Sequence, residues 1–252
     1  MAVKHSRIAV VTGATSGIGE ATVRRFAAEG FAVVGNGRNA GKLVALEQDL
    51  WPSFRGVAGD AAKHEVIEEL FASAEAAFGP ADIVVANAGR GLGGSVVSGD
   101  TAELKSVFEL NVLGALELMR AAAKRLVPRQ EKEFPGKSAD IVVIGSVVGR
   151  NISPFSALYG ASKFALHSLV EALRREIASK GVRVTLVEPG FVLSGFQDGA
   201  GYSHEMVDGL KERLGPLLTG AEIADAIHYA VSRPPHVHVG DIVVRPTRQD
   251  YP

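Results

Sequence analysis

The chain has 252 residues, 27 Lys and Arg against 28 Asp and Glu, a formal net charge of −1 and no cysteine. The missing thiols exclude a disulfide framework, thiol catalysis and thiolate metal sites. The balanced charge, without a dense basic run, gives no electrostatic footprint for nucleic acid or an anionic membrane. No apolar run approaches the ~18–20 residues of a membrane span, and the stretch before the first glycine turn is too short for a secretory leader. A cytoplasmic protein with a single α/β domain over 1–252 is expected.

Short β-branched runs alternate with helical patterns along the chain. Strands are expected at 8–11, 31–35, 54–58, 83–86, 141–144, 182–187 and 242–244, and helices near 18–29, 40–50, 62–78, 101–127, 156–180 and 220–232. Runs apolar on both faces belong to a parallel sheet covered on both sides. The alternation predicts a doubly wound Rossmann fold, a seven-stranded parallel sheet with helices on both faces. Asp100-x-x-Glu103 and Thr219-x-x-Glu222 read as capping boxes. Residues 128–140 read as a charged surface loop. Residues 191–219, rich in glycine and without a strong period, read as a substrate lid.

The first strand runs into Thr12-Gly13-Ala14-Thr15-Ser16-Gly17-Ile18-Gly19. Glycines at such a strand-to-helix turn let the backbone approach a pyrophosphate, which then sits on unpaired helix N–H groups. After the second strand, no carboxylate stands where a 2′-hydroxyl would be bound; Arg38 instead offers a guanidinium fork suited to a 2′-phosphate. That favours NADP over NAD. Asp60, followed by Ala61, can accept from an adenine amino group or cap the next helix. Asn87-Ala88-Gly89 closes the fourth strand at the carboxyl edge, where open α/β sheets bind ligands.

Tyr159 and Lys163 stand four apart in a long helical pattern, so they share one face. A cation beside a phenol favours the phenolate and lowers its pKa, making the tyrosine a usable proton carrier. These motifs, with Asn111-Val112-Leu113-Gly114, Ser146 and Pro189-Gly190, make the chain resemble the short-chain dehydrogenase/reductases of the single-domain, ~250-residue, NADP-preferring type over essentially its whole length.

The resemblance implies a set of roles. Tyr159 is the general acid/base, and Lys163 lowers its pKa and binds the nicotinamide ribose. Ser146 holds the substrate oxygen. Asn111 distorts its helix and holds a water beside the lysine. Pro189, Gly190, Val192 and Ser194 line the nicotinamide. The activity implied is NADP(H)-dependent interconversion of an alcohol and a carbonyl, without a metal. An NAD-preferring dehydrogenase and a non-catalytic NADP-binding regulator are the alternatives. The tail from Arg233 to Gln249 resembles that of serine/3-hydroxy-acid dehydrogenases and clavulanate-type reductases, which implies a small hydroxy or oxo substrate, with Arg90 and Arg150 as candidates for binding a carboxylate. The helices at 101–127 and 156–180 are apolar almost all round, so a symmetric interface is expected there, and the resemblance implies a homotetramer, or a dimer.

Overall fold

A computed structural model describes residues 5–250; positions 1–4 and 251–252 of the expected domain lie outside the described residues. Seven parallel strands, β1 (Ile8–Val11), β2 (Ala32–Gly37), β3 (Phe54–Ala58), β4 (Ile83–Ala86), β5 (Ala139–Ile144), β6 (Val182–Pro189) and β7 (Asp241–Val244), form one sheet in the order β3-β2-β1-β4-β5-β6-β7. The chain turns back between β1 and β4, so their carboxyl ends open a crevice at the switch point.

Alternate side chains of each strand feed two separate cores. In β5, Ile141 and Val143 pack on one face with α3 (His64–Ala77), α5 (Ala115–Glu133) and α6 (Ala157–Ile177); Val142 and Ile144 pack on the other, with α1 (Gly17–Ala28), α2 (Ala40–Asp49) and α9 (Gly220–Val231). Both faces are therefore covered, as the apolar strands require. Among the described residues no helix is long and apolar enough to cross a membrane.

The structure departs from the sequence expectations in several places. The helix expected over 101–127 is broken into α4 (Thr101–Phe108), a π-helical segment (Glu109–Gly114) and α5. α5 then runs through Pro128 into the expected loop, ending at Glu133. Pro128 forfeits one intrahelical bond. Contacts beyond it compensate: Arg129 pairs with Asp82 at 2.8 Å and the Gln130 amide donates to the Lys137 carbonyl at 2.7 Å. β2 extends two residues further than expected and leaves Arg38 as the first residue past the strand.

Thr219 and Glu222 form the capping box. Asp100 is only a cap, accepting from the N–H groups of Ala102 and Glu103, because the Glu103 carboxylate is drawn to Arg90 instead. The 191–219 segment contains two helices that the sequence pattern did not show, α7 (Phe196–Gly199) and α8 (His204–Leu214). Its ends are pinned together by a bridge between Val192 and Leu218, with Leu193 N donating to Leu218 O at 2.7 Å.

At the amino edge of the sheet, the buried Asp140 binds Arg183 in a bidentate pair at 2.7 and 2.9 Å and Arg7 at 2.7 Å. Arg183 also donates to the carbonyls of Val231, Arg233, Pro234 and Val237, tying β5, β6 and the segment after α9 together. Removing the carboxylate from such a pair strands a buried guanidinium. Asp140→Ala is expected to lower unfolding stability by about 3–5 kcal/mol, read by urea denaturation; a loss below ~1 kcal/mol contradicts the clamp.

Candidate active site and dinucleotide cradle

The cradle begins at the end of β1. The Thr12 hydroxyl accepts from the backbone N–H groups of Asn87 and Ala88, each at 3.1 Å, while the Asn87 amide donates to the carbonyls of Thr12 (2.8 Å) and Gly13 (3.2 Å). Asn87 thus shapes the turn, with its amide spent inside the protein. Gly13 (φ +67°) and Gly17 (φ +53°) adopt left-handed backbone, and a Cβ on Gly13 would lie 2.8 Å from Asn87. Only glycine suits these positions.

Ser16 precedes α1 without a capping side-chain bond, and the first intrahelical bond is Glu20 N to Ser16 O at 3.2 Å. The N–H groups of Gly17, Ile18 and Gly19 come before it and stand at the positive helix end. A backbone-lined concavity ending in unpaired N–H groups fits a pyrophosphate, so the residues present fit a dinucleotide.

Arg38 is exposed and, among the described residues, makes no ion pair. Beside it Gly37 lies against Thr15, where a Cβ would be 2.4 Å from the threonine methyl, and Lys42 reaches the Thr15 carbonyl at 3.4 Å. Thr15, Arg38 and Lys42 therefore form a cationic corner. Lys42, on the first turn of α2, is a candidate that the sequence reading did not single out; it is brought here by its contact with Thr15.

Asp60 does not cap α3, which starts only after Lys63. Its carboxylate instead accepts from Ala62 N at 3.0 Å, and Ala61 beside it is buried. Gly190 is covered by the tail residue Gln249, which accepts from Phe191 N at 3.0 Å. Nothing in the sequence pattern linked these two. Val192 is buried, and Ser194 lies against Gly17, where an added Cβ would stand 3.0 Å from the serine Cβ, so the lid root adjoins the glycine turn.

The chemistry-bearing side chains converge at the carboxyl ends of β4 and β5. Lys163 is 6% exposed and donates to the Ile144 carbonyl at 2.8 Å. Burial lowers its pKa to about 8, which leaves the ammonium mostly charged at neutral pH. The Tyr159 phenol has Ser146 as a polar neighbour. Its pKa lies above the ordinary phenolic value because burial penalises the phenolate; Ser146 opposes this and the nearby Tyr202 phenol adds to it. The expectation that Lys163 lowers this pKa is not met in this state. The ammonium, 5.8 Å from the Tyr159 ring centroid, is directed at a carbonyl.

Asn111 sits in the π-helical segment. Its amide is latched to the Arg90 backbone in both directions, each at 2.9 Å, and donates to the Ser162 hydroxyl at 3.3 Å. With its donors and acceptor engaged in this way, the side chain anchors the loop after β4 to α6. Gly160, the glycine after the tyrosine, would place a Cβ 3.4 Å from the Val148 carbonyl, an ordinary contact, so space alone does not demand glycine there.

The 191–219 segment packs against these groups. Phe196 packs edge-on against Tyr159 at 5.5 Å between centroids, and Gly91 lies close against Phe196 and Ala200. Of the two arginines considered for a substrate carboxylate, Arg90 pairs with Glu103. Arg150 grips the fully buried Glu188 in a bidentate pair and lies 3.7 Å from Asp241.

Known proteins match this chain over nearly its full length. The family profile described as short chain dehydrogenase matches residues 7–202. An uncharacterized oxidoreductase of Staphylococcus aureus is 34% identical over 247 residues, covering 98% of this chain and all of its own. One from Staphylococcus epidermidis is 31% identical over 246 residues, with coverage of 98% and 100%. Among solved structures, a closed form of serine dehydrogenase complexed with NADP+ superposes with a TM-score of 0.86 at 29% identity, covering 97% of this chain and 96% of that one. An alcohol dehydrogenase from the archaeon Thermococcus sibiricus, complexed with 5-hydroxy-NADP, gives 0.82 at 26% identity, with coverage of 98% and 99%. With the glycine turn, the Tyr159–Lys163 pair and Ser146 gathered at one edge of a seven-stranded parallel sheet, the chain belongs to the short-chain dehydrogenase/reductase family of oxidoreductases.

Proposed function

We propose that the protein is an NADP(H)-dependent oxidoreductase that interconverts a secondary alcohol and a carbonyl, with Tyr159 as general acid/base. The observation that carries this reading is the gathering of Ser146, Tyr159 and the buried Lys163 ammonium at the carboxyl edge of the sheet, the edge that also bears the glycine turn. The nicotinamide supplies or accepts the hydride when bound. Gly13, Gly17, Ile18 and Gly19 hold the pyrophosphate, and Arg38 with Lys42 and Thr15 holds the 2′-phosphate. Asp60 and Ala61 flank the adenine, and Pro189, Gly190, Val192 and Ser194 flank the nicotinamide.

Ser146 orients the substrate oxygen and stabilises the charge that develops on it. Tyr159 gives its proton to that oxygen in reduction and takes it back in oxidation. Lys163 provides the nearby positive charge. Residues 191–219 act as the lid, excluding water as Phe196 does above the tyrosine. The whole is read as one cytoplasmic domain.

The NADP reading rests on a free guanidinium at Arg38 with no carboxylate beside it, and two neighbours bear NADP or an NADP derivative. For the substrate, a small hydroxy acid is the variant favoured by the serine dehydrogenase likeness. Arg90 is the side chain that a carboxylate can recruit. Its pair with Glu103 is about half exposed and cheap to exchange, whereas Arg150 is tied to a carboxylate with no exposed surface.

Assembly is read as a homotetramer, or a dimer, through the outer faces of the π-helical segment, α5 and α6. Leu113 and Phe164 stand exposed there at 49% and 42%, beside the half-buried Leu116 and Leu169. Light scattering at micromolar concentration is expected to give an oligomer, and a monomer contradicts this part of the reading.

Kinetics with NADPH and NADH over a panel of aldehydes, ketones and hydroxy acids tests the activity. Tyr159→Phe is expected to lower kcat by about 10²–10⁴ with little change in cofactor affinity. Arg38→Leu is expected to weaken NADPH about ten- to a hundredfold and leave NADH unchanged. Full turnover in the first variant, or equal effects on both cofactors in the second, contradicts the assignment.

A further inference from the structure

Behind Ser146 lies a polar group that the proposed chemistry does not use. His167 lies on the same helical stripe as Tyr159 and Lys163, each four residues from the next. Its ring is inserted between the two glycines that bracket the serine turn: a Cβ on Gly145 would stand 2.3 Å from Nε2, and one on Gly149 would stand 2.4 Å from Cε1. Any larger residue at either glycine would expel the ring. The Ser146 backbone N–H donates to His167 Nε2 at 3.2 Å. On the far side, Nδ1 lies 3.7 Å from the carboxylate of Glu188, itself held by the Arg150 fork. Glu188 immediately precedes Pro189 and Gly190, so the group joins the ends of β5 and β6 to the catalytic helix.

We propose that His167 is a positioning residue: its neutral imidazole, accepting at Nε2 with the proton on Nδ1, fixes the Ser146 backbone and so aims the serine hydroxyl at the Tyr159 phenol. The serine hydroxyl accepts only a long bond of 3.4 Å from Val148 N, which alone is a weak tether. The surroundings keep the ring neutral. Burial, then the Lys163 ammonium and the Arg150 guanidinium, lower its pKa to about 4; Asp241 opposes them. The charge of Glu188 is already met by Arg150, and Glu171, one turn further along α6, is engaged by Arg174 and Arg175. An imidazolium would have no lone pair for Ser146.

The proposal rests on the Tyr159–Ser146 reading above, and its test separates the two. The ¹⁵N shifts of His167 in the cofactor-free protein at pH 7 should show a neutral ring protonated at Nδ1; a ring protonated at Nε2, or an imidazolium, overturns the proposal whatever the activity. Hydrogen exchange at the Ser146 amide should be slow in wild type and at least tenfold faster in His167→Leu, which fills the socket but cannot accept.

In turnover, His167→Leu should lower kcat about ten- to a hundredfold with the cofactor KM unchanged, and His167→Gln, which keeps an acceptor, should recover most of the loss. Unchanged kcat in the leucine variant, or equal losses in both variants at equal thermal stability, contradicts the positioning role. Should the leucine variant not fold, the wild-type tautomer and the glutamine variant still decide. If Tyr159→Phe retains full turnover, the functional reading fails while the tautomer and exchange results continue to judge the contact itself.

Discussion

The site depends on one buried cation. Lys163 places an ammonium at the carboxyl edge of the sheet with almost no exposed surface, anchored on the last carbonyl of β5. Burying a charge costs several kcal/mol unless it is paired or hydrogen-bonded, so this contact fixes how α6 crosses the sheet. The neighbours of Lys163 along the same helix then have defined places. Tyr159, one turn earlier, meets Ser146. Ser162, beside the lysine, accepts from the Asn111 amide and donates to the Tyr159 carbonyl at 2.7 Å. His167, one turn later, enters the glycine socket. A single helix face therefore brings phenol, ammonium and imidazole to three successive levels of the sheet edge.

Asn111 connects this helix to the cofactor side of the crevice. Its latch on Arg90 holds the chain directly after Asn87-Ala88-Gly89, and Asn87 in turn holds the glycine turn after β1. The π-helical segment makes that reach possible, since the extra residue in the turn re-aims the asparagine away from the helix surface. The result is a continuous hydrogen-bonded path from Thr12 to Tyr159 by way of Asn87, Asn111 and Ser162, interrupted only by the short backbone stretch from Asn87 to Arg90. The 191–219 segment, whose two ends are paired at Val192 and Leu218, bears on the site through Phe196 and Ala200.

Much of this was legible in the sequence because it is local. Glycines with left-handed backbone, doubly apolar strand runs, the four-residue spacing of Tyr159 and Lys163, and the Thr219 capping box all depend on neighbours within a few residues. What escaped depends on distant partners. α5 continues past Pro128 because Arg129 finds Asp82 and Gln130 finds Lys137. α8 carries Val207, Leu210 and Leu214 at helical spacing, but it buries only Leu214 and follows a glycine-rich stretch, so it did not stand out. His167 and Glu188 meet only because β5 and β6 are adjacent, and Gln249 meets Phe191 only because the tail folds back. The electrostatics around the tyrosine escaped for a similar reason. Spacing put the cation near the phenol but did not reveal that a carbonyl at the end of β5 claims it, nor how far burial disfavours the phenolate.

Burial holds the Tyr159 pKa above its ordinary value in the protein alone; under the proposed function, NADP+ brings positive charge into the crevice that lowers it. The direct test is ¹³C NMR of ring-labelled tyrosine, with Tyr159 assigned by comparison with Tyr159→Phe, titrated without ligand and with saturating NADP+. The account predicts a Tyr159 pKa above the ordinary value near ~10 in the free protein and a clear fall when NADP+ is bound. A phenol already titrating near neutral pH in the free protein, or one indifferent to NADP+, contradicts it.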